Sequence, residues 1–298
     1  MARYRYLGIF LILVLIVAGC DREGENIPLN APTSNIYLGD GWEYYNAGNY
    51  ADALDAFSAS KSRDAVNEDA YNGLGWTYAK VHNYDQSISS FKLLLSLTKD
   101  DAMKANVYAG LAMTYGAKQL VTPIEEVAMR EELGHNAIEN AQELFKIDPD
   151  YVFSQDSNVN ITALHALIAQ SYFNMQDFIN AVKEIDANLE NGYQSSLLSN
   201  QVISSQVDTV SAVVTPETEF NATVDANLDG QVVEVLSVKN MDTGVSYNIL
   251  SFEQGGSSVT FYGNPIPTDE DSYIVEYHGA ADYGLFLNNL LATISKYQ

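Results

Sequence analysis

The chain has 298 residues, 47% of them hydrophobic and 11% aromatic, and its 39 acids against 15 Lys and Arg leave a net charge of -24. That apolar content is too high for an acidic disordered tail, and the shortage of bases excludes the cationic patch that nucleic-acid binding requires. A single cysteine, Cys20, excludes an intramolecular disulfide framework and any multi-cysteine zinc site.

Residues 1–19 have the order of a secretory leader, with Arg3 and Arg5 ahead of an apolar run at 7–18. Twelve helical residues cover about 18 Å, short of the roughly 30 Å hydrocarbon core of a bilayer, so the run fits a signal segment and not a span. It ends in Val17-Ala18-Gly19-Cys20, which resembles the lipobox of bacterial lipoproteins, with Val17 where Leu is commonest. The resemblance implies a mature chain that begins at Cys20, acylated on its thiol and amine and held at a membrane of the cell envelope. An ordinary secreted protein in which Cys20 is incidental is the plainer alternative. Residues 20–33, polar and punctuated by Gly24, Pro28 and Pro32, suit a tether.

From residue 34 the sequence repeats. Tyr37, Gly41, Trp42, Tyr44, Tyr50, Ala53 and Phe57 return 34 positions later as Tyr71, Gly75, Trp76, Tyr78, Tyr84, Ser87 and Phe91. Weaker copies follow through Tyr108 to Tyr115, with a second helix at 137–147, and through His165, Ala169, Tyr172, Phe178 and Ala181. The pattern resembles the tetratricopeptide repeat (TPR), a helix-turn-helix unit that buries its apolar face only by stacking on the next. About four units are expected over 34–191. In the third, residues 116–136 exceed the repeat by about thirteen positions, as a longer loop or an extended helix start.

In that family the concave face is lined from the first helix of each unit. Carried over, this implies a groove through Trp42, Tyr45, Trp76, Met113 and Phe173, suited to an apolar peptide or loop with Trp as anchor. The plainer reading has the two indoles packing against other parts of the chain. None of the groove positions is Lys or Arg, which disfavours capture of a free carboxylate there.

Past residue 192 the helical period gives way to short β-rich runs at 207–215, 232–238, 245–250, 258–262 and 273–278, with hairpin signals at Asp229-Gly230, Asp242-Thr243-Gly244 and Gly255-Gly256. Helical spacing returns at 283–297. The fold class is therefore mainly α, a TPR-like solenoid at 34–191 followed by a small β-sandwich-like domain with a C-terminal helix at 192–298. Asp225, Asn227, Asp229 and Gly230 match the first half of a calcium loop, but Leu236 stands where a bidentate Glu belongs. Ca2+ is thus a candidate ligand, completed by Glu234 or Asp269-Glu270-Asp271, beside the simpler reading of a hairpin turn.

Four histidines without metal-ligand spacing, no G-x-S-x-G and no phosphate loop with Lys point away from an enzyme, with no catalytic residue and no cofactor expected. The expectation is an envelope lipoprotein that serves as a protein-interaction scaffold, attached to the membrane through Cys20, with envelope or outer-membrane proteins as partners. A surface lipoprotein that captures glycans or solutes for a transporter is the alternative, with Tyr262, Tyr273, Tyr277 and Tyr283 as stacking platforms.

Overall fold

The computed structural model describes residues 32–200, 202–211, 215–218, 221–225, 231–252, 254–256, 258–262 and 272–298. The leader, Cys20, the tether up to residue 31, Asn227, Asp229 and the 269–271 acids lie outside the described residues. Among those described, no helix is long and apolar enough to cross a membrane.

Eight helices pair in sequence: α1 (Ser34–Asn46) with α2 (Tyr50–Arg63), α3 (Glu68–Lys80) with α4 (Tyr84–Leu97), α5 (Asp101–Val121) with α6 (Val127–Ile147), and α7 (Ile161–Asn174) with α8 (Phe178–Asn188). Their starts are chemically marked. Thr33, Asn67, Asn83, Asp100, Asn160 and Asp177 each accept a hydrogen bond from the N–H three residues on, satisfying a donor the helix cannot. In three of the four units the turn between the paired helices contains a residue with positive φ, at Gly48 (77°), His82 (60°) and Gln176 (63°).

One side chain locks each of the first units to the next. The Phe57 ring lies between Gly41 of α1 and Gly73 of α3, and Phe91 between Gly75 of α3 and Gly110 of α5. A Cβ on Gly41 would stand 2.5 Å from Phe57, and one on Gly75 2.6 Å from Phe91, so only glycine lets the ring seat. The surplus in the third unit is helical: α5 and α6 have 21 residues each, against 13 or 14 in α1 to α4. Pro123 falls in the short turn that joins them.

After a short helix α9 (Tyr193–Ser199), absent from the sequence expectation, come β1 (Ser204–Ser211), β2 (Thr215–Thr218), β3 (Asn221–Asp225), β4 (Gln231–Asn240), β5 (Ser246–Phe252), β6 (Ser258–Tyr262), β7 (Ser272–Ala280) and α10 (Tyr283–Ser295). The strands are antiparallel in the order β1-β7-β4-β5-β6-β3-β2. Because β5 pairs with β4 through Ser246 and Tyr247 and with β6 from Asn248 onward, the sheet bends there. Phe261 of β6 and Tyr273 of β7 would be about 14 Å apart across three strand spacings of a flat sheet. Their ring centroids are 5.2 Å apart, so the sheet curls over its own core of Val232, Val235, Val238, Tyr247, Val259 and Val275. Asp242-Thr243-Gly244 turns a hairpin between paired β4 and β5, as expected. Asp229-Gly230 lies outside the described residues, and the strands on either side of it, β3 and β4, are not neighbours in the sheet.

The C-terminal helix docks on both halves. Phe286, Leu290 and Ile294 are buried among Phe178, Ala181 and Ile185 of α8, Tyr193 and Leu197 of α9, and Val233 of β4. Glu234 reinforces the junction, 3.1 Å from Lys183 Nζ on α8 and 3.4 Å from His278 Nδ1 on β7.

Candidate functional site

The TPR resemblance assigns the concave face to α1, α3, α5 and α7, and on the first two of these the chain lays a segment of its own. Residues 148–160, which connect α6 to α7, fold back as a narrow loop closed by the Phe153 N–H to Val159 carbonyl bond (2.8 Å) and a Val152–Asn160 bridge. This loop carries Tyr151, Phe153 and Val159, which are apolar enough to need burial, and the groove of the first two units provides it. Phe153 is 1% exposed and its ring stacks on Trp76, with centroids 4.4 Å apart and planes 21° apart. Its distance to Trp42 is 6.1 Å, edge on.

Polar contacts pin the loop along its length. Tyr151 Oη donates to Asn106 Oδ1 (2.9 Å), Asn46 Nδ2 donates to Gln155 Oε1 (3.2 Å), and Lys80 Nζ donates to Asp156 Oδ2 (3.1 Å). Burial pushes the Asp156 carboxyl up, but the Lys80 ammonium and the Asn158 amide outweigh it and hold the group below its ordinary value. Burial pushes the Tyr45 hydroxyl on α1 and the loop's own Tyr151 hydroxyl well above the usual phenol range.

The expected open groove is therefore corrected at Trp42, Tyr45 and Trp76. Trp76 is 3% exposed and Tyr45 is buried, and Trp42 is half-buried against Phe57, Tyr45 and Phe153. Indoles of this size expose costly apolar surface when left bare, and the chain covers them with its own segment. The sequence carried a signal for this in Tyr151, Val152 and Phe153, an apolar cluster inside an otherwise polar connection.

Met113 and Phe173 have different surroundings. Met113 lines the part of the concave face left open, a cleft of about 430 Å3 walled by Gly116, Ala117, Leu120, Ala163, Leu167 and Gln170. Gln298 also lines it and donates to Gln170 Oε1 (3.3 Å).

Phe173 faces a second, larger cleft of about 780 Å3, between the α5–α6 turn and the C-terminal module, with Ile124, Phe178, Phe252, Tyr283 and Leu287. Arg130 belongs to this cleft, and its guanidinium donates to the carbonyls of Gln119, Thr122 and Asn174, which clips the α5–α6 hairpin to the end of α7. Burial pushes the Tyr283 hydroxyl up to about 12, so it is neutral here.

The calcium reading gains no geometry. Asp225 ends β3 opposite Ser258 of β6, Asn227 and Asp229 lie outside the described residues, and Glu234 is engaged by Lys183 and His278. Tyr273 and Tyr277, expected as stacking platforms, are fully buried in the sheet core. The side chain of Tyr262 lies outside the described residues.

Compared with protein families and with curated proteins, the chain gives no match. Among solved structures it is similar to TTC0263, a thermophilic TPR protein in Thermus thermophilus, over 55% of its length and 79% of that chain, at 18% identity and a TM-score of 0.41. It is similar to the MamA protein over 55% of its length and 93% of that chain, at 16% identity and a TM-score of 0.29. Superpositions this loose carry no functional argument, and the repeat assignment rests on the glycine and phenylalanine packing described above.

Proposed function

We propose that the chain is a lipid-anchored scaffold of the cell envelope that holds an apolar segment of a partner protein in the open half of its concave face. The observation that carries this reading is continuity. The cleft along Met113, Ala117, Leu120 and Leu167 extends the same face on which the chain lays its own 151–160 loop, so an extended segment with one or two apolar side chains has a surface of matching shape and polarity. Ala117, Ala163 and Gly116 are small, which leaves room for side chains supplied from outside. Attachment through Cys20 and the tether up to residue 33 suits an acidic body that anionic headgroups repel. Within the envelope, the proposed position is the periplasmic side of the outer membrane or the cell surface, not the inner membrane. The glycan- or solute-capturing alternative is less well supported, since two of its four tyrosine platforms are core residues.

The test is a photo-reactive side chain at Ala117, irradiated in the native envelope and read by mass spectrometry, with exposed Ser89 on α4 as the control position. Discrete protein adducts from position 117 alone support the scaffold. The same adducts from both positions, or none from 117, overturn it. The anchor is checked separately by the mass of the mature N-terminal peptide, where an unmodified Cys20 overturns lipidation.

A further inference from the structure

The end of the α5–α6 hairpin departs from the rest of the surface. Asn174, the last residue of α7, donates to Gln119 Oε1 (3.2 Å), so residues 120–129 stand beyond the end of the helix that supports the hairpin. Within those ten residues Leu120, Val121 and Ile124 are each 63% exposed, Val127 is 55% and Met129 46%. Large apolar side chains scattered singly are ordinary, but five in one turn region are an exposed patch. The patch also overhangs the larger cleft, whose walls include Ile124, Phe173, Phe252 and Leu287, and a smaller recess at Val127 and Met175 continues it.

Charge restricts what can cover it. Glu125 and Glu126 lie within the same turn region and Glu131 and Glu132 follow it on α6; all four are exposed and take part in none of the ion pairs among the described residues. The two nearby bases are engaged within the fold, Lys118 with Asp85 (2.7 Å) and Arg130 with three carbonyls. An anionic lipid surface is repelled by such a rim. A second copy of a chain with net charge -24 brings mostly acids to it.

We infer that the α5–α6 tip and the cleft beneath it dock a cationic amphipathic helix of a partner protein, apolar face on Ile124, Val127 and Phe173, and Lys or Arg against the glutamate rim. Apolar anchors seated in a groove with opposite charges at the edge are the ordinary form of helix recognition. Leu120 borders both this surface and the open concave half, but Ile124, Val127 and Phe173 line only the former, so substitutions at Ile124 and Val127 test it independently of what the concave half binds.

The test is fluorescence anisotropy of a labelled Lys–Leu amphipathic helical peptide titrated with the full chain, against a scrambled peptide of the same composition and a Glu–Leu counterpart. The expected result is saturable binding of the Lys–Leu helix alone, weaker at higher salt, and weaker by about tenfold or more in the charge-neutral variant Ile124→Ser/Val127→Ser. Both side chains are exposed, so the melting temperature and far-UV dichroism of that variant stay unchanged. Equal binding of the scrambled peptide, undiminished binding by the variant, or no binding of the Lys–Leu helix overturns the inference. So does a concentration-dependent dimer, or flotation with zwitterionic vesicles, that the variant abolishes.

Discussion

Phe153 lies flat on Trp76, ring over indole at 4.4 Å, although the two residues come from different units and the contact seals the chain's own groove. Phe153→Ala is expected to lower stability by about 3–5 kcal/mol, the usual cost of emptying a buried aromatic site. Because the substitution bares Trp76, the intrinsic fluorescence maximum should move to longer wavelength in the folded state. Chemical denaturation and emission spectra check the two effects separately, and an unshifted spectrum would contradict the stacking.

The glycine wedges make a sharper claim. Gly110→Ala places a methyl group in the Phe91 ring and is expected to cost about 1–3 kcal/mol by overpacking. In the double variant Gly110→Ala/Phe91→Leu the losses should be less than additive, because the smaller side chain yields the space. A thermodynamic cycle from urea denaturation of the four proteins measures the coupling.

Gln176 adopts φ 63° without being glycine, in the turn where the first unit uses Gly48. Gln176→Gly is expected to raise stability by about 0.5–1 kcal/mol, since the left-handed conformation strains a residue with a Cβ. Gly48→Ala should lower it by a similar amount. Opposite shifts in melting temperature for the two variants are the check.

Glu234 joins the two halves of the molecule and gives the junction a pH dependence. The His278 ring beside it lowers its carboxyl, burial opposes that, and Lys183 lowers it further, for a net position below the ordinary 4.5. A carboxyl depressed by folding contributes its stability above the unfolded value and loses it as pH falls through the folded one. Denaturation midpoints should therefore drop below about pH 4.5 in the natural protein. Glu234→Gln should lie lower at neutral pH and lose less between neutral and acid.

The repeated part of the fold was legible because its packing is local and periodic. Gly41, Phe57, Gly75 and Phe91 recur at a fixed interval, and each ring finds its glycines within neighbouring helices. The excess in the third unit was legible as length but not as form. Leu120 and Val121 continue the α5 period past the end of α7, and no sequence pattern states where the supporting neighbour stops. The occupied groove stayed hidden for another reason. Phe153 reaches Trp76 and Trp42 over more than seventy residues of chain, a non-local contact that residue spacing does not encode. The same limit applies to the curled sheet, where β3 passes β4 to pair with β6.

The wedges at Phe57 and Phe91 bear on how the stack comes apart. Each ring belongs in sequence to one unit and in packing to two, so a cut at either boundary leaves half a socket on both sides. Units one to three should therefore melt in a single transition, not peel from the amino end, and a chain that lacks α1 and α2 should lose more than their own contacts. Variation in length is confined to places the wedges do not reach. In this molecule that place is the outer end of the α5–α6 hairpin.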